Sequence, residues 1–438
     1  MTSYPEYKSS GVDWLGEIPT HWQASRLKMF SKIYSGGTPD TKEKKYWENG
    51  TVPWIASGEV NQELITEVTT YITKEALKNS SAKWIPKNAI VMALAGQGRT
   101  KGTVALTGVE VTCNQSLAAI VTKNTNYKYL FYWLKSKYQD IRGLVGEDRD
   151  GLNLDLIGAI SIPIPLLAEQ QKIVDFLDYK MGQCDRFISN RQKQIELLNE
   201  QKAAIINKAV TKGINPNAKM KPSGIEWIGD IPEHWCIWKM TRICEKIGDG
   251  LHGTPVYEEG SGIFFVNGNN LSNGKIEINE NTKEVESKNF NLIKKEISFG
   301  SVLYSINGTI GNIAIYNGEN ILLGKSAAFF VCRNTIINMY LFHYLISNSV
   351  LIYLHSTTEG TTIKNVSLDT LRSLGIPLSS IEEQKSILDF IKKETSKIET
   401  LISKYQKQIE LMQEYRTTLI SQAVTGKIDV RDWKPPTK

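Results

Sequence analysis

One string of the chain is written twice. GVDWLGEIPTHW runs from Gly11 to Trp22, and GIEWIGDIPEHW runs from Gly224 to Trp235. Two Trp, two Gly, a Pro and a His do not fall into one register by chance, so self-similarity is the first constraint on the fold. The repeat continues along the chain. YLFYWL at Tyr129–Leu134 returns as YLFHYL at Tyr340–Leu345, and KQIELL at Lys193–Leu198 returns as KQIELM at Lys407–Met412. IPIPLLAEQQKIVDFL at 162–177 returns as IPLSSIEEQKSILDFI at 376–391, and AVT at Ala209–Thr211 returns at Ala423–Thr425. The offset stays between 210 and 214, so the chain is a tandem duplication.

Each copy has two parts. Residues 1–165 and 213–376 mix short apolar runs with turn residues. TVPWIA, AIVMALA and SLAAIVT predict strands, whereas YKYLFYWLKSKY and NMYLFHYLISNS predict amphipathic helices. Residues 166–212 and 377–428 each predict one long helix, leaving 429–438 as a tail. In the first, Ile173, Leu177, Met181, Cys184, Ile188, Ile195, Leu198, Ile205 and Ala209 are spaced mostly by three and four, as in a coiled coil. Adding 214 gives a matching series from Ile387 to Ala423. Arg191/Tyr405 and Lys202/Arg416 interrupt both seams at the same depth. Ser379 or Ser380, with a Glu three residues on, offers a capping box for the second helix. The second helix ends in AVTGKI, much like the AVTKGI that precedes the second domain, so it is expected to end where the first domain begins. The helices are then antiparallel. The expected fold is α+β: two similar mixed α/β domains joined by two long antiparallel coiled-coil helices, with approximate two-fold symmetry. Such helices span roughly 63 Å at 1.5 Å per residue.

Composition removes several classes. No apolar run approaches the length of a membrane span, and MTSYPEYKSS lacks a signal-peptide pattern. The five cysteines are scattered, with no CxxC pair, so a zinc site or disulfide framework is not expected, and the thiols read as cytoplasmic. Net charge is +6 overall, with +3 on residues 1–165 and −1 on 213–376. That is too mild for binding nucleic acid by bulk charge alone.

The opening string, GGTPDTK followed by YWENGTVPWIASGEV, GDGLHGTPVY, and the IP-x-P…EQ approach to a long helix together resemble type I restriction–modification specificity subunits. The resemblance covers essentially the whole chain. It implies two target recognition domains, each reading half of a split, asymmetric double-stranded DNA target. It further implies a helical spacer that fixes the gap and docks two modification subunits. Those partners carry S-adenosylmethionine and methylate adenine, and a motor-nuclease restriction subunit joins for cleavage. The chain itself would then be non-catalytic, with no cofactor of its own; S-adenosylmethionine, ATP and Mg belong to the partners.

The residues that could suggest other chemistry fit poorly. GENILLGKS at Gly318–Ser326 has five residues between its first glycine and Gly-Lys-Ser, one more than a phosphate loop requires. An adenine methyltransferase needs an Asn- or Asp-Pro-Pro-aromatic site, and the single Pro-Pro, Pro435–Pro436, follows Lys434. Asp40 and Glu43 in PDTKEKK read as a solvated turn rather than a nuclease centre. His21 and His234, inside IPxHW, read as fold-fixing.

The expected DNA contacts lie on Gly-rich loops. SGGTPDTKEKK offers Thr38, Lys42, Lys44 and Lys45, and AGQGRTKG offers Gln97, Arg99, Thr100 and Lys101. Arg can bond guanine and Gln adenine in the major groove. The second copy offers His252 and Thr254 in GDGLHGTP, Asn307, Thr309 and Asn312 in SINGTIGN, and Thr361, Thr362 and Lys364 in GTTIKN. These loops carry little positive charge, so recognition there leans on amides, hydroxyls and water. The loops differ between copies while the helices agree, as expected if the halves read different words. Two other classes fit less well: a coiled-coil scaffold that assembles proteins without reading DNA, and an enzyme in its own right.

Overall fold

The computed structural model describes residues 2–96, 100–145, 151–288, 290, 295–357 and 365–436. The chain divides into two compact units. Unit 1 comprises Met1–Asn190 and Lys407–Lys438, and unit 2 comprises Arg191–Gln406.

Unit 1 is built on a five-stranded sheet. Its strands are β1 (Ser31–Ser35), β2 (Leu64–Ile65), β3 (Ile90–Ala93), β4 (Val104–Thr107) and β5 (Leu117–Thr122). Their spatial order is β1-β5-β3-β4-β2. β3 and β4 are buried along their whole length; their side chains are apolar except Thr107, whose hydroxyl donates to Pro86 O at 2.8 Å. Helix α1 (Tyr127–Ser136), capped by Asn126, packs its aromatic face into the core. Unit 2 repeats this frame with β6 (Cys244–Asp249), β7 (Val302–Ser305), β8 (Ile313–Ile315) and β9 (Ala327–Cys332), in the order β6-β9-β7-β8.

The long helices are α2 (Leu167–Lys212) and α4 (Ile381–Val424), and α3 (Asn338–Leu345) is the unit 2 counterpart of α1. Within each unit, segments of α2 and α4 run antiparallel. In unit 1, Asp185 meets Arg416 at 3.4 Å, and Ile173, Leu177, Leu419 and Ala423 share one core. In unit 2, Arg191 lies 4.7 Å over the Tyr405 ring, Lys202 bonds Glu399 at 2.5 Å, and Ile206 and Ala209 share a core with Ile387 and Ile391. The seam interruptions are therefore partnered. Arg191 and Tyr405 sit at the same repeat position and stack on each other. The Lys202–Glu399 and Asp185–Arg416 pairs are the same pair 214 residues apart. Seam residues are fully buried where a domain covers them, as at Ile173 and Ile387. They are half-buried at Ile188, Ile195 and Leu198.

The repeated strings turn out to bind each other. Strand Gln23–Arg26 pairs with Ser161–Ile164, which brings IPTHW to the head of α2. There Glu169, 6% exposed, accepts from Tyr4 Oη (2.7 Å) and Trp22 Nε1 (3.0 Å), and His21 Nε2 lies 2.8 Å from its other oxygen. In unit 2 Glu383 accepts from Trp235 Nε1 (3.0 Å) and meets His234 (2.9 Å). The following glutamines serve the next helix. Gln170 accepts from Asn126 N–H ahead of α1, and Gln384 accepts from Ile337 N–H ahead of α3. Both Gln side chains are buried, where an unpaired amide would cost about 1–3 kcal/mol. The IPxHW and EQ strings thus form a latch, with the two histidines serving structure.

Ser380 caps α4 by accepting from Glu383 N–H at 3.2 Å. The expected capping box is only half formed, because the Glu383 carboxylate is committed to Trp235 and His234. The end of α4 belongs to unit 1, as its ending string implied. Tyr129 Oη donates to Val424 O, Tyr7 Oη donates to Gly426 O, and Gly426 lies against Pro19 and Trp22. In unit 2 Tyr340 Oη donates to Val210 O, and Gly213 lies against Pro232 and Trp235. Both glycines have φ of +73°, a conformation that ends helices without side-chain strain. Residues 429–436, read as a tail, pack into unit 1. Val430 is buried, and the Trp433 ring lies 5.3 Å from Phe176 and 5.4 Å from Tyr179. Among the described residues, no helix is long and apolar enough to cross a membrane.

Candidate nucleic-acid interface

Strand register gathers the predicted loops. In unit 1 Ser35 pairs with Ala118, Leu117 with Ala93, and Val104 with Met92. The end of β1, the start of β5, the end of β3 and the start of β4 therefore share one end of the sheet. The loop after Ser35, the turn 114–116 and the connection 94–103 all leave from that end. Unit 2 does the same. Asp249 pairs with Ala328, Ala327 with Ser305, and Tyr304 with Ile313. The loops 250–256, 306–312 and the turn 324–326 are the counterparts. Even the fastening is repeated: Leu94 N–H donates to Ser116 O and Leu152 N–H to Leu94 O, while Ile306 N–H donates to Ser326 O and Val366 N–H to Ile306 O.

Glycine is required where the first loop leaves the sheet. A Cβ on Gly36 would sit 1.9 Å from Cys113 O, and one on Gly250 would sit 2.1 Å from Leu323 O. Both are backbone contacts that no rotamer change relieves. Burial pushes the Cys113 thiol up to about 12, which keeps it inert beside the loop.

The expected contact residues are distributed as follows. Lys42 and Lys44 are exposed. Lys45 is exposed but paired with Glu75 at 2.9 Å. Thr38 Oγ1 donates to Gln115 Oε1 at 2.7 Å, which joins the first loop to the turn. Thr100 is half-buried on the connection 94–103. Lys101 is 1% exposed, so its ammonium is withdrawn from the surface and is not available to a phosphate. Gln97 and Arg99 lie outside the described residues. In unit 2 His252 is exposed and meets Asp249 at 2.7 Å, and Thr254 and Thr309 are exposed. Asn307 bridges to Asn365, and Asn312 Nδ2 donates to Gly268 O at 3.2 Å, which commits that amide to holding the loop. Thr361, Thr362 and Lys364 lie outside the described residues.

Two exposed residues at this end were missed from sequence. Gln115 and Lys325 top the turns 114–116 and 324–326. They stand at the same place in the repeat, Gln115 in CNQSLA at 113–118 and Lys325 in LGKSAA at 323–328, and the second string is the one with the phosphate-loop likeness. That likeness fails in three dimensions: Ser326 leads into strand β9, whereas a phosphate loop leads into a helix. In PDTKEKK, Asp40 accepts from Lys42 N–H at 2.9 Å, a turn-forming bond. No group of three or more His, Cys, Asp or Glu among the described residues is arranged to hold a metal.

The copies also differ behind the sheet. Tyr132 on α1 donates to Asp178 at 2.8 Å. Its counterpart His343 on α3 lines a cavity of about 500 Å³ with Lys202, Asn312, Thr395 and Glu399, and its Nδ1 has no hydrogen-bond partner among the described residues. Burial first, and then Lys202, push His343 down to about 4.

Residues 19–197 and 232–411 match the type I restriction modification DNA specificity domain. The chain belongs to this family and carries its domain twice. The EcoR124I/EcoR124II specificity subunit of Escherichia coli is 31% identical over 202 residues, 44% of this chain and 47% of that subunit. The match thus spans about half the length of that relative. The MjaIX specificity subunit of Methanocaldococcus jannaschii is 26% identical over 447 aligned positions, covering 98% of this chain and 97% of that one. A solved chain from work on complex assembly and conformational transition of the type I R-M system shares the fold, with a TM-score of 0.67 at 16% identity. The match covers 94% of this chain and 99% of that chain. As a pair of type I specificity domains, the two units carry target recognition frames of one design with unlike loops.

Proposed function

We propose that this chain reads an asymmetric bipartite DNA target, one half-word per unit, through the loops at one end of each sheet. The observation that carries this reading is the contrast at those ends. Strand register, fastening bonds and glycine close approaches are the same in both units, while the exposed side chains differ in charge and hydrogen-bonding type. A frame repeated with changed tips fits two readers of different words. The chain performs no chemistry itself and binds no cofactor of its own; adenine methylation with S-adenosylmethionine, and ATP- and Mg-dependent cleavage, belong to modification and restriction subunits. Docking of two modification subunits is supported by Leu197 and Leu411, which are repeat counterparts and remain 63% and 52% exposed on the long helices. Large apolar side chains left in water at matched places suit one copy of the same partner each.

The test is single-molecule methylation sequencing of DNA from a host expressing this chain with its modification subunit. A bipartite methyladenine motif that disappears when this chain is omitted is the expected result. A continuous or palindromic motif would overturn the two-word reading. A stable complex that leaves no motif would turn the assignment toward a scaffold.

A further inference from the structure

The turns at 114–116 and 324–326 combine a rigid base with an exposed tip. In unit 2 the base is tied at every residue. Leu251 N–H donates to Leu323 O (2.7 Å), Lys325 N–H donates to Leu251 O (3.0 Å), and Gly324 N–H donates to Val266 O (2.8 Å). Ser326 Oγ donates to Asn267 Oδ1 (3.0 Å) and accepts from Gly268 N–H (2.8 Å). Only the Lys325 side chain projects from this knot. It makes no ion pair among the described residues. In unit 1 Asn114 N–H donates to Ile55 O (3.1 Å), and Ser116 N–H donates to Asn114 Oδ1 (3.1 Å), leaving Gln115 exposed at the tip. Its Oε1 accepts from Thr38 Oγ1. That bond orients the amide and leaves a second lone pair on Oε1 and both Nε2 protons without a partner among the described residues, open to a ligand.

We propose that Gln115 and Lys325 are specificity-determining residues at equivalent places in the two units, the Gln115 amide reading adenine and the Lys325 ammonium reading guanine. The assignment rests on the DNA-reading function proposed above. Each tip lies among the loops expected to meet DNA, on a hydrogen-bonded base, so little ordering is needed on binding. The chemistry fixes the base. An amide oxygen accepts from adenine N6 while its nitrogen donates to N7, and an ammonium donates to guanine O6 and N7. Thr38 is a positioning residue that holds the amide plane.

The test uses the chain assembled with its modification subunit, and methylation sequencing as the readout. Lys325→Gln is expected to move one base of one half-word from guanine toward adenine, by about 5- to 150-fold in relative methylation, the range of a single bidentate contact. Gln115→Lys is expected to move one base of the other half-word from adenine toward guanine. Lys325→Arg is expected to keep the guanine, since Arg makes the same pair of bonds. In every variant the untouched half-word and the gap stay as they were, which also reports that the complex has folded and assembled. Unchanged words, or a uniform loss of methylation over all sequences, would overturn the assignment. A wild-type chain giving no bipartite motif would defeat the DNA-reading function itself, whereas a wild-type motif with unmoved variant words defeats only these two residues.

Discussion

Unit 1 and unit 2 agree where the chain is buried and differ where it meets solvent. Both place a Gly against a backbone carbonyl as the first loop leaves the sheet, and both use a Glu at the head of a long helix to hold IPxHW. Yet the first loop of unit 1 presents Lys42 and Lys44, whereas that of unit 2 presents His252 already paired to Asp249. A duplicated frame is constrained by packing at most interior positions, with Tyr132 and His343 an exception, so divergence accumulates at the tips. Under the proposed function, those tips are where two copies of one fold acquire two binding preferences.

The latch is the first place to break the likeness. Glu169 is 6% exposed and holds three partners, while the Glu383 side chain is 26% exposed and holds two. Glu169→Ala strands the Tyr4 hydroxyl and the Trp22 indole N–H in the core, at about 1–3 kcal/mol each. Roughly 4 kcal/mol of destabilisation is expected in unit 1. Glu383→Ala is expected to cost about half as much in unit 2. Hydrogen exchange of β5 and β9 amides in the full chain would compare them, and equal effects would refute the inequality.

Acid sharpens a second difference. His343 is held neutral at a value of about 4, below its ordinary 6.5. Between those values the unfolded chain takes up a proton that the folded unit refuses. Stability is therefore present above pH 6.5 and is lost as pH falls toward 4. At one pKa unit per 1.36 kcal/mol the loss approaches roughly 3 kcal/mol. His343→Phe should remove this dependence. In unit 1 Tyr132 occupies the place, and Glu63 is among the carboxylates whose titration is shifted. Burial pushes Glu63 up, but Lys135 and Arg416 outweigh burial and hold it below its ordinary 4.5. Its contribution persists above 4.5 and is lost below it. Exchange protection should thus fall first in unit 2, then in unit 1. Simultaneous loss would contradict this account.

The smallest effect is electrostatic. Replacing Lys42 or Lys44 with Ala should lower the slope of log affinity against log salt by about 1 each while leaving the half-word unchanged. Thr309→Ala in unit 2 should leave the slope where it was. Filter binding of the assembled complex across a salt series reads both.

The repeat, the long helices and their direction were legible in the sequence because each is a periodic or duplicated signal. The partners in the latch were not. His21 and Glu169 are 148 residues apart, and nothing in the local pattern pairs them. The Ser380 cap was legible, but the competing demand of Trp235 on Glu383 was not, since it arises from tertiary pairing. Lys101 reads as a solvent lysine in AGQGRTKG and is buried by the fold around it. Gln115 lies in no motif and Lys325 lies in a string that resembles a phosphate loop, so neither was marked as a DNA contact; the role proposed for them comes from strand register, which brings three sequence-distant loops to one end of a sheet.

The close of α4 on unit 1 also bears on how the molecule can be cut. Asp429 N–H donates to Thr2 O at 2.9 Å, so the first and last described segments of the chain touch. Within unit 1 the start of the described chain and the segment after α4 are thus neighbours, joined by a backbone bond. A linker from Pro436 back to Thr2, with new ends opened in an exposed turn such as the one near Asn215, is expected to give a permuted chain that keeps Val430 and Trp433 in the unit 1 core.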